Sequence, residues 1–451
     1  MERWRFGWGV AAGLFVGLVL LWARQAAAQG GSSEALNVPS LQALGKVPDL
    51  DEPLKEFRTG NVGGALQLLR AAVKKNPELP PPQVILAAWL ADVNQPGMAR
   101  TALETATLEV PDDPEPYLIL ADLALRDRQV AEASLLLGKG YDLLAGTTIS
   151  PKRAAVLKRR ALVALASLAD SRRDWKQAQK YLESLLAADP KNASALEQLG
   201  RVLFQLKKPE EALAKLQEAA KLDPANILAP EATLAQLYQQ SGDKENAHKW
   251  MFAAIKANPR DARVRRVAAQ WSLEIGRLDQ AEEQAKAAVQ LDPDSPLSLT
   301  VRGTVAMARK DYKTAEECFG KAHLLSPGHF AALSNLALTL AEEESPAKRR
   351  LALEYAQILS RLFPDQADAA GALGWTLYKL GRVDEAELVL RKAVSAPSVS
   401  RDTLYFYARV LTDRGRKEEA LKLLEAALAA KPSASFLRRA DAETLLGELQ
   451  K

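Results

Sequence analysis

The stretch from Ala193 to Pro224 reads ASALEQLGRVLFQLKKPEEALAKLQEAAKLDP, and its pattern decides the fold of this chain. In the first half, Leu196, Leu199 and Leu203 recur at helical spacing, so one face of a first helix is apolar. Pro209 follows a short break, and proline is well tolerated at the first position of a helix. The stretch therefore predicts two helices that are joined by a tight turn.

The same pattern recurs along most of the chain, and a proline closes each unit every 33 to 40 residues. These prolines stand at 77, 111, 151, 190, 224, 259, 293, 327, 364, 397 and 432. An alanine marks the second helix of each unit, at Ala65, Ala99, Ala133, Ala178, Ala212, Ala247, Ala281, Ala315, Ala352, Ala386 and Ala420. We expect this alanine to let the two helices of a unit approach closely, because a larger side chain would hold them apart.

Glycines mark the turn between the two helices in several units. Gly242, Gly276, Gly381 and Gly415 all lie five residues before the alanine of their unit. A glycine at the end of a helix readily takes the left-handed conformation, because it has no Cβ atom. We therefore predict that this repeat position ends the first helix.

The pattern resembles the tetratricopeptide repeat, a helix-turn-helix unit of about 34 residues with conserved small and apolar positions. The resemblance covers roughly residues 46–432. It implies an all-α, right-handed superhelical solenoid of about eleven such units with a C-terminal cap helix. It also implies that the first helix of each unit lines a concave groove, where members of the family bind proteins or peptides.

The organisation that we predict has five segments. They are a signal peptide or N-terminal membrane anchor at 1–28, a flexible linker at 29–49, an N-terminal array with two enlarged units at 50–190, a regular array at 191–432 and a capping helix at 433–451.

The first segment has the composition of a targeting sequence. Arg3 and Arg5 form a basic start, the stretch from Phe6 to Ala23 carries no charge, and Ala26 to Ala28 gives an A-x-A cleavage pattern. The apolar run is also just long enough to span a bilayer. A cleaved signal and an uncleaved anchor both remain open, and either leads us to expect an exported protein, periplasmic or extracellular, with anchoring to the inner membrane in the second case.

Composition argues against nucleic-acid binding. The formal net charge is +4, and basic and acidic residues alternate along the predicted helices. We interpret the basic clusters Lys152 to Arg160 and Lys348 to Arg350 as solvated helix faces. Asn192 begins a glycosylation sequon, but it lies where a helix N-cap belongs, so we interpret it as a cap.

No pattern of catalytic or metal-binding residues is evident. The chain has three histidines and one cysteine, whose spacings match no metal site. The repeats use nearly all of residues 46–432, which leaves little chain for a separate catalytic domain. We therefore expect no enzyme activity, no cofactor and no metal.

Positions that face the groove in the family supply the candidate partner-binding residues. These are Trp375, Tyr378, Lys379, Tyr405 and Arg409 near the C-terminal end, with Arg201, Gln236, Arg266 and Gln270 in the middle of the array. Aromatic and cationic side chains are enriched in binding hot spots, and the glutamines suit an extended peptide backbone. The alternative is that Trp375 and Tyr405 pack against adjacent helices. The lysine/asparagine clamp that some relatives use for C-terminal carboxylates is not evident, because the matching asparagines are missing.

These features favour a non-catalytic scaffold or adaptor that mediates protein–protein interactions in the cell envelope. The alternative is a non-catalytic subunit of an envelope enzyme, secretion or polysaccharide-handling complex. In either case we expect proteins or peptides to bind in the concave groove, and we expect no nucleic-acid partner. Contact with a membrane is expected only through residues 1–28, if they are not cleaved.

The targeting segment generates a prediction about processing. We expect cleavage after Ala28, which gives a mature N-terminus at Gln29. Mass spectrometry of the protein purified from its native compartment measures this terminus. An intact segment from Met1 to Ala28 in the membrane fraction would contradict cleavage and establish the anchor.

Overall fold

The computed structural model describes residues 38, 47–146, 148–429 and 436–451, and all regular secondary structure within them is helical. The predicted targeting segment 1–28 lies outside the described residues, as does most of the predicted linker 29–49. Val38 is described, and its side chain is buried among apolar residues that include Phe57 and Trp89. The predicted segment boundaries stay predictions.

The described helices form eleven pairs and one single C-terminal helix, as the repeat count predicts. The chain divides into two compact units, one that ends at Ile227 and one that begins at Leu228. After a 3₁₀ turn at Pro48–Leu50, the first unit contains α1 (Asp51–Arg58), α2 (Val62–Lys75), α3 (Pro82–Asp92), α4 (Pro96–Glu109), α5 (Pro114–Arg126), α6 (Val130–Leu143), α7 (Pro151–Ser171), α8 (Trp175–Ala188), α9 (Ala193–Gln205) and α10 (Pro209–Leu222). The second unit contains α11 (Pro230–Ser241), α12 (Lys244–Ala257), α13 (Ala262–Glu274), α14 (Leu278–Leu291), α15 (Pro296–Ala308), α16 (Tyr312–Leu325), α17 (Phe330–Glu342), α18 (Pro346–Leu362), α19 (Ala367–Lys379), α20 (Val383–Val394), α21 (Arg401–Asp413), α22 (Lys417–Leu428) and α23 (Arg439–Leu449).

Local sequence signals set the helix starts. Proline occupies the first turn of many helices, including α10 and α15, where its missing N–H has no intrahelical partner to lose. Side chains cap others: the Asn192 Oδ1 atom accepts a hydrogen bond from the Ala195 N–H at 3.0 Å. The interpretation of Asn192 as a cap is therefore confirmed.

The eleven repeat alanines lie where the two helices of each pair cross. None of their side chains is more than 1% exposed. The first helix of a pair also approaches the second closely. A Cβ atom added to Gly200 on α9 would lie 2.8 Å from the Leu216 Cγ atom on α10. The sequence expectation of close helix approach is thus confirmed, and each pair packs as one tight unit.

In ten of the eleven described pairs the turn uses the left-handed conformation; the exception is the pair α17–α18, where Glu343 is extended. Gly242, Gly276, Gly381 and Gly415 have φ between 73° and 85°, as predicted. Five further residues at the same repeat position also have positive φ without being glycine: Asn94, Arg128, Arg173, Lys207 and Lys310. For the arginines and lysines the residue type gives no signal for this geometry, which only the register of the repeat reveals.

In the second unit the first helices of successive pairs pack side by side. Each of α11, α13, α15, α17, α19, α21 and α23 contacts the next in this series. We call the surface that they form the first-helix face. It is continuous from one helix to the next, and it contains most of the predicted partner-binding positions.

In the first unit a buried ion network joins two successive pairs. The Arg153 guanidinium, 4% exposed, donates to the Asp113 carboxylate at 2.7 and 2.8 Å and to Glu115 Oε2 at 2.8 and 3.0 Å. Arg160 pairs with Asp122 nearby. The interpretation of this basic cluster as a solvated face is therefore wrong for Arg153, whose charge is compensated by two carboxylates.

A further observation concerns the membrane. Within the described residues, no helix combines the length with the apolar composition that crossing a bilayer requires.

The left-handed turns generate a prediction about stability. Lys310 has a φ of 60°, so Lys310→Gly should raise the free energy of unfolding by about 0.5–1 kcal/mol. Gly276→Ala should lower it by about 1 kcal/mol through the backbone alone, since no atom lies within 4 Å of the added Cβ. Urea unfolding followed by circular dichroism measures both changes.

Gly320→Ala is the matched control, because Gly320 lies inside α16 with open space around it. This change should stabilise the protein by about 1 kcal/mol, since alanine is the better helix former. If Gly276→Ala stabilised it equally, the left-handed turn would have no energetic role.

A candidate partner-binding face

A carboxylate that accepts three hydrogen bonds organises the C-terminal part of the first-helix face. Glu342 ends α17, and its side chain is only 9% exposed. It accepts hydrogen bonds from Trp375 Nε1 at 2.7 Å, from Lys379 Nζ at 3.0 Å and from Arg438 Nη2 at 2.6 Å. The carboxylate therefore connects α17 with α19 and with Arg438, the residue just before α23.

The predicted aromatic residues pack around Trp375, which donates to this carboxylate. The Trp375 ring stacks on Phe406 at 4.5 Å between centroids and lies 5.2 Å from Tyr378 and 5.9 Å from Tyr405. Trp375 is 4% exposed and Tyr405 is 8% exposed. The structure thus places both rings against adjacent helices, in the packing that the alternative interpretation describes.

Burial and neighbouring charges act in opposite directions on the pKa of Glu342. Burial favours a raised pKa for Glu342, but Arg438 and Lys379 outweigh it and hold the pKa below its ordinary value. Burial also raises the pKa of Tyr405 to about 12, so its hydroxyl stays protonated at neutral pH. Near pH 7 the Glu342 carboxylate is therefore charged and the Tyr405 hydroxyl is neutral.

Two predicted residues at the edge of this cluster are more accessible. Tyr378 donates its hydroxyl hydrogen to Asp413 Oδ2 at 2.5 Å and accepts from Arg409 Nε at 3.3 Å. The Arg409 side chain is 39% exposed. Tyr378 and Arg409 can thus contact a partner at this edge without a rearrangement of the helices.

The middle of the face has a different chemistry. Arg266, on α13, is partly buried and donates to the Ser298 hydroxyl of α15 at 3.3 Å. Gln270 is exposed one turn further along α13, and Gln236 is partly buried on α11. Neutral amides and one guanidinium are the groups that hydrogen-bond a peptide.

Arg201 belongs to the first unit. It lies on α9 and pairs with Glu197 at 2.9 Å, with its side chain 13% exposed. A role in partner binding stays a prediction for all nine residues that the sequence singled out.

Sequence reasoning missed the residues that hold the cluster together. Glu342, Phe406 and Arg438 were not among the candidates. A signal was present in the repeat register: Glu342, Trp375, Tyr405 and Arg438 are separated by 33, 30 and 33 residues, close to one repeat each. No cluster of His, Cys, Asp or Glu side chains in the described part of the chain is arranged to hold a metal ion.

The Glu342 network generates a prediction with a pH dependence. Glu342→Gln should lower the free energy of unfolding by about 3 kcal/mol at pH 7, because Lys379 and Arg438 lose their counter-ion. The pKa of Glu342 is lower in the folded chain, so its contribution is complete above the ordinary value of 4.5 and is lost as the pH falls through the folded value. Urea unfolding at pH 7 and at pH 3 measures both effects.

Glu344→Gln is the control, since Glu344 is exposed two residues away. It should change stability by no more than about 0.5 kcal/mol. Equal losses in the two variants would mean that the network contributes nothing specific.

Comparison with known proteins identifies the repeats. Two family models, both described as tetratricopeptide repeat, match the chain, one at residues 163–227 and 347–400 and the other at residues 203–271. A solved tetratricopeptide repeat protein from Parabacteroides merdae aligns with 57% of this chain and 99% of its own, at 15% identity and a TM-score of 0.45.

Two curated proteins are similar over part of their length. Cellulose synthase operon protein C of Pseudomonas fluorescens is 24% identical over 281 residues, which is 58% of this chain and 22% of that protein. The Hsp70-Hsp90 organizing protein of Triticum aestivum is 24% identical over 220 residues, which is 48% of this chain and 36% of that protein. The chain therefore spans well under half the length of either relative.

The matched residues include the stretch quoted first, and the eleven helix pairs repeat its pattern of alanine, turn and proline. The chain therefore contains tetratricopeptide repeats, which the family models match at residues 163–271 and 347–400.

Proposed function

We propose that this protein is a non-catalytic scaffold that binds a protein partner on the first-helix face of its second unit. The observation that carries the proposal is the side-by-side packing of the first helices, which makes one continuous surface of Gln236, Arg266, Gln270, Tyr378 and Arg409. Repeat surfaces of this kind bind extended partners because successive repeats present side chains at regular intervals.

We also propose that the protein works in the cell envelope. Support comes from the composition of residues 1–28, with its basic start, uncharged apolar run and A-x-A pattern. The name of the Pseudomonas fluorescens relative gives a second candidate, a scaffold within a polysaccharide-handling complex. In both versions the partner carries out any chemistry, and this chain positions it.

The test is partner capture by face variants. Gln270→Ala combined with Tyr378→Ala removes an exposed amide and an accessible aromatic ring from the first-helix face. We expect this double variant to lose a stoichiometric partner that the unmodified chain co-purifies from its native cells. Quantitative mass spectrometry of the co-purified proteins measures the loss.

The control carries matched changes on second helices. Phe252→Ala on α12 and Gln290→Ala on α14 remove an exposed aromatic ring and an exposed amide from outside the face. Capture should persist in this variant, and circular dichroism should show that both double variants are folded at the temperature of the capture. Capture that both double variants retain would place the binding surface elsewhere. Polysaccharide-synthesis proteins among the partners would favour the second candidate, and a mixed set of envelope proteins the general scaffold.

A further inference from the structure

The helix α13 carries three arginines whose partners differ. Arg263 pairs with the Asp261 carboxylate at 2.8 Å. Arg265 donates to the Pro259 carbonyl oxygen at 2.9 and 3.1 Å and to Gln284 Oε1 at 2.6 Å. These two guanidinium groups are satisfied by a carboxylate, a carbonyl and an amide.

Arg266 is the exception. Its side chain donates to the Ser298 hydroxyl at 3.3 Å, a long contact to a neutral group. Within the described residues it forms no ion pair within 4.0 Å. A guanidinium has five N–H donors in a planar fork, so most of its hydrogen-bonding capacity remains for another group.

The surroundings of Arg266 make its positive charge unfavourable in the absence of an anion. Burial lowers the pKa of the Arg266 guanidinium, and the neighbouring Arg263 acts in the same direction, although Asp292 and Asp261 oppose them. Ser298, its contact, lies in the first turn of α15, where backbone N–H groups add partial positive charge. A carboxylate bound beside Arg266 would offset the cost of burying the guanidinium and the repulsion from Arg263 and the helix N-terminus.

Three other positions near Arg266 carry neutral polar side chains. The repeat register places Gln236 on the preceding first helix, Gln270 one turn along α13 and Thr304 on the following first helix. Amide and hydroxyl groups hydrogen-bond a peptide backbone without requiring a charge on it.

We propose that Arg266 is a carboxylate-binding subsite, which takes an aspartate or glutamate side chain of an extended peptide bound across α11, α13 and α15. The inference rests on the proposed function, and it names the chemistry of the partner. Gln236 and Gln270 bind the peptide backbone on either side of the acidic residue. The planar guanidinium donates two parallel N–H hydrogen bonds to the carboxylate, a geometry that a lysine cannot reproduce.

The experiment uses the full chain with ¹⁵N-labelled arginine side chains and a set of synthetic peptides. The probe is a twelve-residue peptide of Gly, Ala and Ser with one central Asp, acetylated and amidated at its ends. Nuclear magnetic resonance follows the Arg266 Nε–H signal, which is identified by its absence in Arg266→Lys. We expect a saturable shift of this signal, and binding that is at least about tenfold weaker for the matched Asn peptide and for Arg266→Lys.

Arg265→Lys is the matched control, because it changes the adjacent arginine whose partners lie elsewhere. It should bind the Asp peptide as the unmodified chain does. Equal binding of the Asp and Asn peptides would overturn the proposal, as would an equal loss in the two lysine variants. Stronger binding of an Asn peptide with a free C-terminal carboxylate would overturn the internal site, and preference for a polyuronate would overturn the peptide as its ligand.

Failure of the Arg266 subsite can be distinguished from failure of the proposed function. If Gln270 and Tyr378 are needed for partner capture while Arg266 gives no response to the Asp peptide, the face binds a partner and this subsite is wrong. If capture is independent of the face, the proposed function fails even where Arg266 binds the peptide.

Discussion

The close crossing of two helices at an alanine is the constraint on which the rest of this structure depends. Each repeat alanine is buried to 1% exposure or less, and the facing position is small or closely packed. Because of this contact the two helices of a pair pack as one block. Each block then buries its remaining apolar surface against the next pair. The left-handed turn and the proline between pairs then set where each block begins. In the second unit a continuous face arises because similar blocks stack in the same way.

Much of this fold could be predicted from the sequence because its signals are local. Alanine, glycine and proline at fixed spacing are visible in one repeat and are confirmed by their recurrence. The Arg153 network could not be predicted, because its partners Asp113 and Glu115 lie 40 and 38 residues away and are brought together only by packing. The left-handed turn at Lys207 and Lys310 was hidden for a related reason, since lysine carries no propensity for that conformation.

The candidate site was predicted in part. Family positions correctly selected side chains that cluster, but position alone does not reveal exposure. Trp375 and Tyr405 are large enough to reach the neighbouring helices, so they fill the interior beside Glu342. Gln270 and Arg409 are polar and extend outward, and they remain available to a ligand. The hydrophobic effect thus separates residues that share a repeat position into packing residues and contact residues.

The contact between Glu342 and Arg438 joins residues 96 positions apart in a fold where most contacts link neighbouring pairs. In a stack held only by neighbour contacts, the last helix is the first to fray, and the loss then spreads inward one pair at a time. Here the C-terminal helix cannot peel away without also leaving a buried carboxylate on α17 short of a partner. Loss of α23 therefore costs more than the contacts of that helix alone, because it also takes the Arg438 guanidinium away from the Glu342 carboxylate.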